Sequence, residues 1–317
     1  MRFADVKNDI AFRKIFGNEN RKDSLISFLN AILGFEEGQK IVKVTIVNPY
    51  QLPKLRGGKV TIIDVKAIDQ AKRTYLIEMQ VADVEGFDKR VLYYASKSYS
   101  DQIKRGDLYR NLNPVIFIGI LDFKHTKNKH YISRSQVRDI ETGEQTIKDV
   151  EFNFIELPKF KKKRNQLATL AEKWIFFIKN AENLNFVPED TDDEGLKSAY
   201  EEASIHLWTT EELAAYDYVF MREEDARAAF DKAMKNALQE AKQEAEKAKE
   251  EAEEKAEKKG RQEGRQEGRQ ENEVEIIIRL FQKEKTSAEI SDLLGIPAES
   301  VEKIITKHKK DNFGLSK

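Results

Sequence analysis

The chain of 317 residues exceeds one ordinary domain of ~100–200 residues, so a single compact globule is not expected. Its 55 Lys+Arg and 56 Asp+Glu nearly cancel, which removes bulk charge as a sign of a nucleic-acid or membrane partner and makes any such binding local. The lack of cysteine excludes disulfides, thiolate zinc sites and cysteine nucleophiles; with no apolar run near the ~20 residues of a membrane helix and no hydrophobic leader in "MRFADVKND", a cytoplasmic protein without a membrane partner is expected.

Residues 1–158 mix helical and extended patterns. In "NDIAFRKIFGNENRKDSLISFLNAILG", Ile10, Phe12, Ile15, Phe16, Leu25, Phe28, Leu29, Ile32 and Leu33 recur at helical spacing, with Gly17 and Gly34 as stops. Extended runs follow in "IVKVTIVNP", "KVTIIDVKAID" and "RTYLIEMQV". "EGFDKRVLYYASKSYSDQIKRG" returns to helical spacing ahead of the apolar strand "PVIFIGIL". A hairpin turn in "RDIETGEQ" and a strand in "DVEFNFIELP" complete an α/β or α+β core. Residues 159–220 form a helical extension, with Leu167, Leu170, Trp174, Phe177 and Ile178 on one apolar face that would pack on the core.

Residues 221–272 make a long charged helix, in which Ala237, Ala241, Ala245, Ala248, Ala252 and Ala256 follow an 11-residue rhythm and form a nearly straight stripe. Such a helix is either solvated along its length, supported by Glu/Lys pairs, or the seam of a homo-oligomer. Its repeat "GRQEGRQEGRQEN" stacks Gly260, Gly264 and Gly268 on one face, as a hinge or for close approach of a partner helix. Residues 273–317 are a small helical module, opened by a capping box of Thr286 with Glu289 and turned at Gly295. It resembles a helix-turn-helix with Lys303, Lys307, Lys309 and Lys310 adding charge, but "AESVEKIIT" offers few side chains for base edges and an assembly role is favoured.

Within "TIIDVKAIDQAKRTYLIEMQ", two apolar strands each carry one carboxylate, Asp64 and Glu78. Alternation puts Ile62, Asp64 and Lys66 on one side of the first strand, opposite Ile63, Val65 and Ala67. On the second, Leu76, Glu78 and Gln80 oppose Tyr75, Ile77 and Met79. A three-residue loop at 70–72 matches the faces along both strands and opposes Asp64 to Glu78 and Lys66 to Leu76. Carboxylates with Cβ atoms about 5 Å apart repel, so one holds a proton or a cation sits between them, and Mg²⁺ commonly uses one or two carboxylates. The plain alternatives are a pairing of Asp64 with Lys66 or Lys72 and an exposed face for Glu78. No GxxxxGK[ST], GxGxxG or HExxH pattern is present, and His125 and His130, in a polar loop, are expected to face solvent.

Asp, 13 intervening residues, then Glu-x-Gln resembles the core of the PD-(D/E)XK nuclease superfamily, and "DVKNDIAFRKIFG" with "RVLYYASKSYSDQIKRGDLYRNLNPVIFIGIL" is similar to its branch of recombination-promoting nucleases or transposases. The resemblance implies a restriction-endonuclease-like core that cuts DNA with Mg²⁺, or with Mn²⁺ in its place. Asp64 and Glu78 would ligate the metal, with the Met79 backbone carbonyl as a further ligand. Gln80 would occupy the superfamily's lysine position; a neutral amide can orient water but cannot supply charge, and Lys66 is placed to do so. Asp9 would support the metal's water shell, or cap the first helix. Arg90, Tyr94 and Lys97, on one helical stripe, would hold a DNA phosphate backbone, although core packing is equally open to the tyrosine. "KFKKKRNQ" is a second basic cluster, for which a solvated loop is the default. The departure at Gln80 also leaves open a non-catalytic protein that keeps the nuclease fold for DNA binding or scaffolding.

Overall fold

The computed structural model describes residues 2–48, 50–51 and 61–313. Two compact units divide between Ala226 and Arg227. The first contains, in chain order, α1 (Asp9–Phe16), α2 (Asp23–Leu33), β1 (Val44–Val47), β2 (Tyr50–Gln51), β3 (Thr61–Ile62), β4 (Val65–Asp69), β5 (Thr74–Gln80), α3 (Phe87–Ser100), β6 (Val115–Leu121), β7 (Ile132–Gln136), β8 (Val150–Glu156), α4 (Leu170–Asn180) and α5 (Glu194–Ala203). Lys59 and Val60 of the expected strand lie outside the described residues.

Six strands form a mixed sheet in the order β1-β4-β5-β6-β8-β7, with β5, β6 and β8 parallel and the other pairs antiparallel. One face carries Val65, Ala67, Tyr75, Ile77 and Met79 against α1, α2, α4 and α5. The other carries Leu76, Val115 and Phe117 against Phe87, Val91 and Ala95 of α3. This is a restriction-endonuclease-like α/β core. β7 was not apparent in the sequence because "ISRSQ" is an edge strand without a buried face. The expected turn after it is present: Asp139 N–H donates to Glu144 O, with Gly143 at φ 72°.

α1 is fixed by what it buries. Phe12, Ile15 and Phe16 are fully buried, and the Phe16 ring lies 4.7 Å from Phe12, 5.0 Å from Phe28 and 5.6 Å from Trp174. Each such side chain contributes ~1.5–3 kcal/mol. α5 presses so close to α2 that a Cβ on Gly195 would lie 2.4 Å from Ser27 Cβ and 2.5 Å from Asp23 O. The basic cluster after β8 is not a solvated loop. Lys159 pairs with Glu156, Lys162 with Glu172 and Arg164 with Asp190.

The β4–β5 hairpin has the expected register, with Lys66 opposite Leu76 and Val65 opposite Ile77. Its loop is the three residues 70–72, with Lys72 in the left-handed region at φ 62°, as such loops require at their last position. Asp69 pins the turn by accepting from Ala71 N–H, Arg73 N–H, Arg73 Nε and Tyr75 OH at 2.6–2.9 Å.

The second unit contains the C-terminal part of α6 (Thr210–Gln282), then α7 (Ser287–Leu294) and α8 (Ala298–Phe313). α6 continues unbroken through Gly260, Gly264 and Gly268. Ile277, Ile290, Val301 and Ile305 bury together as a small core, and Thr286 and Glu289 form the reciprocal capping box. Among the described residues, no helix is long and apolar enough to cross a membrane.

Candidate active site

The β4–β5 ladder stops at Val65 and Ile77, one step before Asp64 and Glu78. Asp64 sits in a bend, and the segment before it is rotated: Ile63 buries on the α3 side, not with Val65 and Ala67 as strict alternation predicts. The bend turns the Asp64 carboxylate into the position a strand partner would fill, where its Oδ2 accepts from Met79 N–H at 2.9 Å. On the opposite side of β5, Gln80 O accepts from Asp122 N–H. Successive strand residues direct their peptide groups to alternate sides, so the Met79 carbonyl faces the Asp64 side, beyond the end of the ladder.

α1 supplies the next two groups. Asn8 is its N-cap, accepting from Ile10 N–H, which corrects the capping role offered for Asp9 and leaves that carboxylate for other contacts. Burial and then the charge of Asp64 raise the pKa of Asp9, which places the two acids together. Arg13, one helical turn further on, reaches Asp64 Oδ1 through Nη2 at 3.0 Å. It is thus Arg13 that pairs with Asp64, in place of Lys66 or Lys72. The i,i+4 spacing of Asp9 and Arg13 was the available signal for it.

Glu78 is the least compensated of these acids. Burial and then Asp64 push its pKa up to about 8, with Arg90 opposing, and its buried Oε2 has no hydrogen-bond partner among the described residues. Arg90 Nη2 lies 3.7 Å from Glu78 Oε1 and donates to Gln80 Oε1. Tyr94 is half-buried beside them, its phenol pKa raised by burial and then by Glu78. Lys97 follows on the same half-buried stripe of α3. Lys66 lies opposite Leu76 on the sheet face that Glu78 shares; burial lowers its pKa and Asp101 opposes that. His125 does not face solvent as expected; its ring packs edge-on against Phe87 and Phe123, and its Nε2 lies 3.1 Å from Asp88. His130 is exposed.

The bend, α1 and α3 therefore converge Asp9, Asp64, Glu78, Gln80, Arg13, Arg90 and Tyr94 at the carboxyl end of β5. Among the described residues, no three carboxylate or histidine side chains form an ion site by themselves. Two carboxylates with a backbone carbonyl would suit a hard divalent cation that keeps several waters. Compared with known families, residues 6–233 match the model of the PD-(D/E)XK nuclease family transposase. The chain belongs to this family. The family match spans the sheet, both helical layers and every residue of the cluster, and ends within α6. Neither the curated proteins nor the solved structures yield a match.

Proposed function

We propose that the chain is a metal-dependent DNA endonuclease that hydrolyses phosphodiester bonds, in the service of recombination or transposon-like DNA breakage. The observation that carries this is the buried, unpartnered Oε2 of Glu78 beside Asp64. A buried carboxylate without donors is costly unless protonated or paired with a cation, and a divalent ion would supply that charge. Asp64, Glu78 and the Met79 carbonyl would hold it. PD-(D/E)XK nucleases typically use divalent metals; Mg²⁺, or Mn²⁺, when bound supplies charge to the attacked phosphate and acidifies a water.

The chain's own groups do the remaining work. Met79 N–H fixes one oxygen of Asp64, so its carboxylate is oriented before any ligand arrives. Asp9 would accept hydrogen bonds from the water shell of a bound metal. Arg13, with its side chain 42% exposed, is placed to exchange Asp64 for a DNA phosphate. Arg90, Tyr94 and Lys97 line the path of the strand. Copies of the chain would associate through α6, on which Phe230, Met234 and Leu238 are exposed large apolar side chains at four-residue steps.

A second reading is a non-catalytic nuclease-fold protein that binds DNA or acts as a scaffold. Arg13 on Asp64 and Arg90 near Glu78 favour it, since they counter part of the acid charge without a metal. Plasmid nicking with Mg²⁺, Mn²⁺ or EDTA separates the two. Metal-dependent nicking lost in Asp64→Ala and Glu78→Ala supports the nuclease; intact, folded protein that cuts neither double- nor single-stranded DNA sinks it.

A further inference from the structure

Hydrolysis of a phosphodiester builds negative charge on the oxygens around phosphorus, and a cation already fixed at that place stabilises the charge without reorganisation. α3 carries such a cation. Arg90 packs over Phe87, its guanidinium carbon 5.4 Å from the ring centroid. Its Nη2 donates to Gln80 Oε1 and lies 3.7 Å from Glu78 Oε1. Gln80 is itself held: its Nε2 donates to Ala82 O at 2.8 Å, which settles that Oε1 is the atom turned to Arg90. Both polar contacts of Arg90 use Nη2. Among the described residues Nη1 and Nε have no hydrogen-bond partner, and the side chain is 30% exposed.

A guanidinium is a flat fork of five donors that grips two oxygens of one phosphate. Anchored through one nitrogen and stacked on a ring, Arg90 keeps the rest of its fork for that grip, in an orientation already ordered. We propose that Arg90 binds the phosphate that is cut and stabilises the charge developing on it, and that Gln80 is a positioning residue that holds Arg90 beside Glu78. This rests on the nuclease reading. In the step, a water oxygen bonds to phosphorus and loses its proton to solvent. The P–O ester bond breaks, the leaving oxygen takes up a proton, and Arg90 stays protonated throughout. A neutral glutamine then has a positive reason to stand after Met79: its amide oxygen accepts from arginine, which a lysine ammonium could not do.

The test pairs the single-turnover cutting rate of a fluorescein-labelled duplex in Mg²⁺ with the equilibrium anisotropy of the same duplex in Ca²⁺. Arg90→Ala should slow cutting by ~10²–10³-fold while affinity falls far less, with Arg90→Lys between it and the unaltered chain. Gln80→Ala should slow cutting, but Gln80→Ala/Arg90→Ala should be no slower than Arg90→Ala alone, because the glutamine acts through the arginine. Unchanged melting by circular dichroism identifies the variants that report on function; if Arg90→Ala unfolds, Arg90→Lys and Gln80→Ala carry the same comparison. Affinity falling as far as rate, or additive losses in the double variant, would overturn the inference. Cutting that dies in Asp64→Ala yet persists in Arg90→Ala refutes this inference alone. A chain that never cuts, or cutting that survives both Asp64→Ala and Glu78→Ala, refutes the nuclease reading and this inference with it.

Discussion

Glu78, two residues before the end of β5, and Glu156, at the end of β8, lie on parallel strands of one sheet separated by β6; Glu156 is fully buried and Glu78 nearly so, yet the protein treats them in opposite ways. Burial pushes up the pKa of Glu156, but Lys159 Nζ at 2.8 Å, Thr126 Oγ1 at 2.6 Å and the N–H groups of His125 and Thr126 outweigh it, and the carboxyl is held below its ordinary range. Glu78 is pushed up to about 8 by burial and Asp64, with Arg90 only partly offsetting them. Donors set the two apart. A carboxylate with four donors ties a loop to a strand; one with a bare buried oxygen awaits a cation or a proton.

The largest effects should divide along that line. Asp64→Ala and Glu78→Ala should each lower the cutting rate by ~10³-fold or more, measured by plasmid nicking in Mg²⁺, while the protein stays folded. Glu156→Ala should do the reverse. It leaves Lys159 buried without its partner, at a cost of about 3–5 kcal/mol and roughly 10 °C of melting temperature, while the folded fraction cuts normally. Loss of cutting without loss of stability in Glu156→Ala would erase the contrast.

The site was legible in the sequence where it depends on local rules. Face matching alone identified the loop 70–72 and the register that brings Asp64 toward Glu78. It could not show the bend at Asp64, since the hydrogen bond that rewards it comes from Met79 on the next strand. Arg13 was missed because its partner lies 51 positions away, and His125 because two of the three rings against it come from α3 and β8. Of the four donors of Glu156, Lys159 stands three residues on and was a local signal, whereas the other three come from His125 and Thr126, 31 and 30 positions away.

Titration sharpens the comparison with a smaller effect. An acid whose pKa rises from 4.5 unfolded to about 8 folded stabilises the fold fully below the lower value and loses that contribution as pH rises through the upper one. The metal-free chain should therefore weaken between these values, and Glu78→Gln should remove that part of the pH dependence. The gain of Glu78→Gln over the unaltered chain should be on the order of 1–3 kcal/mol above pH ~8, allowing for partial screening, and vanish near pH ~4. Urea unfolding in EDTA at the two pH values measures it. A gain that is equal at both would mean that packing, not charge, is being relieved.

The smallest effect is expected at Lys66, which shares its sheet face with Glu78 and whose ammonium feels the charge of Asp101. The charges that reach the acids come from Arg13 on α1 and Arg90 on α3, whereas the Lys66 ammonium responds to Asp101. In this arrangement the β4–β5 hairpin and the bend before it supply Glu78 and Asp64, and the flanking helices supply the cations. Lys66→Met should then change the nicking rate by only a few-fold, well short of the ~10²–10³-fold expected for Arg90→Ala. A comparable loss in both variants would return the working charge to the strand, and Gln80 would stand beside a displaced lysine instead of under an anchored arginine.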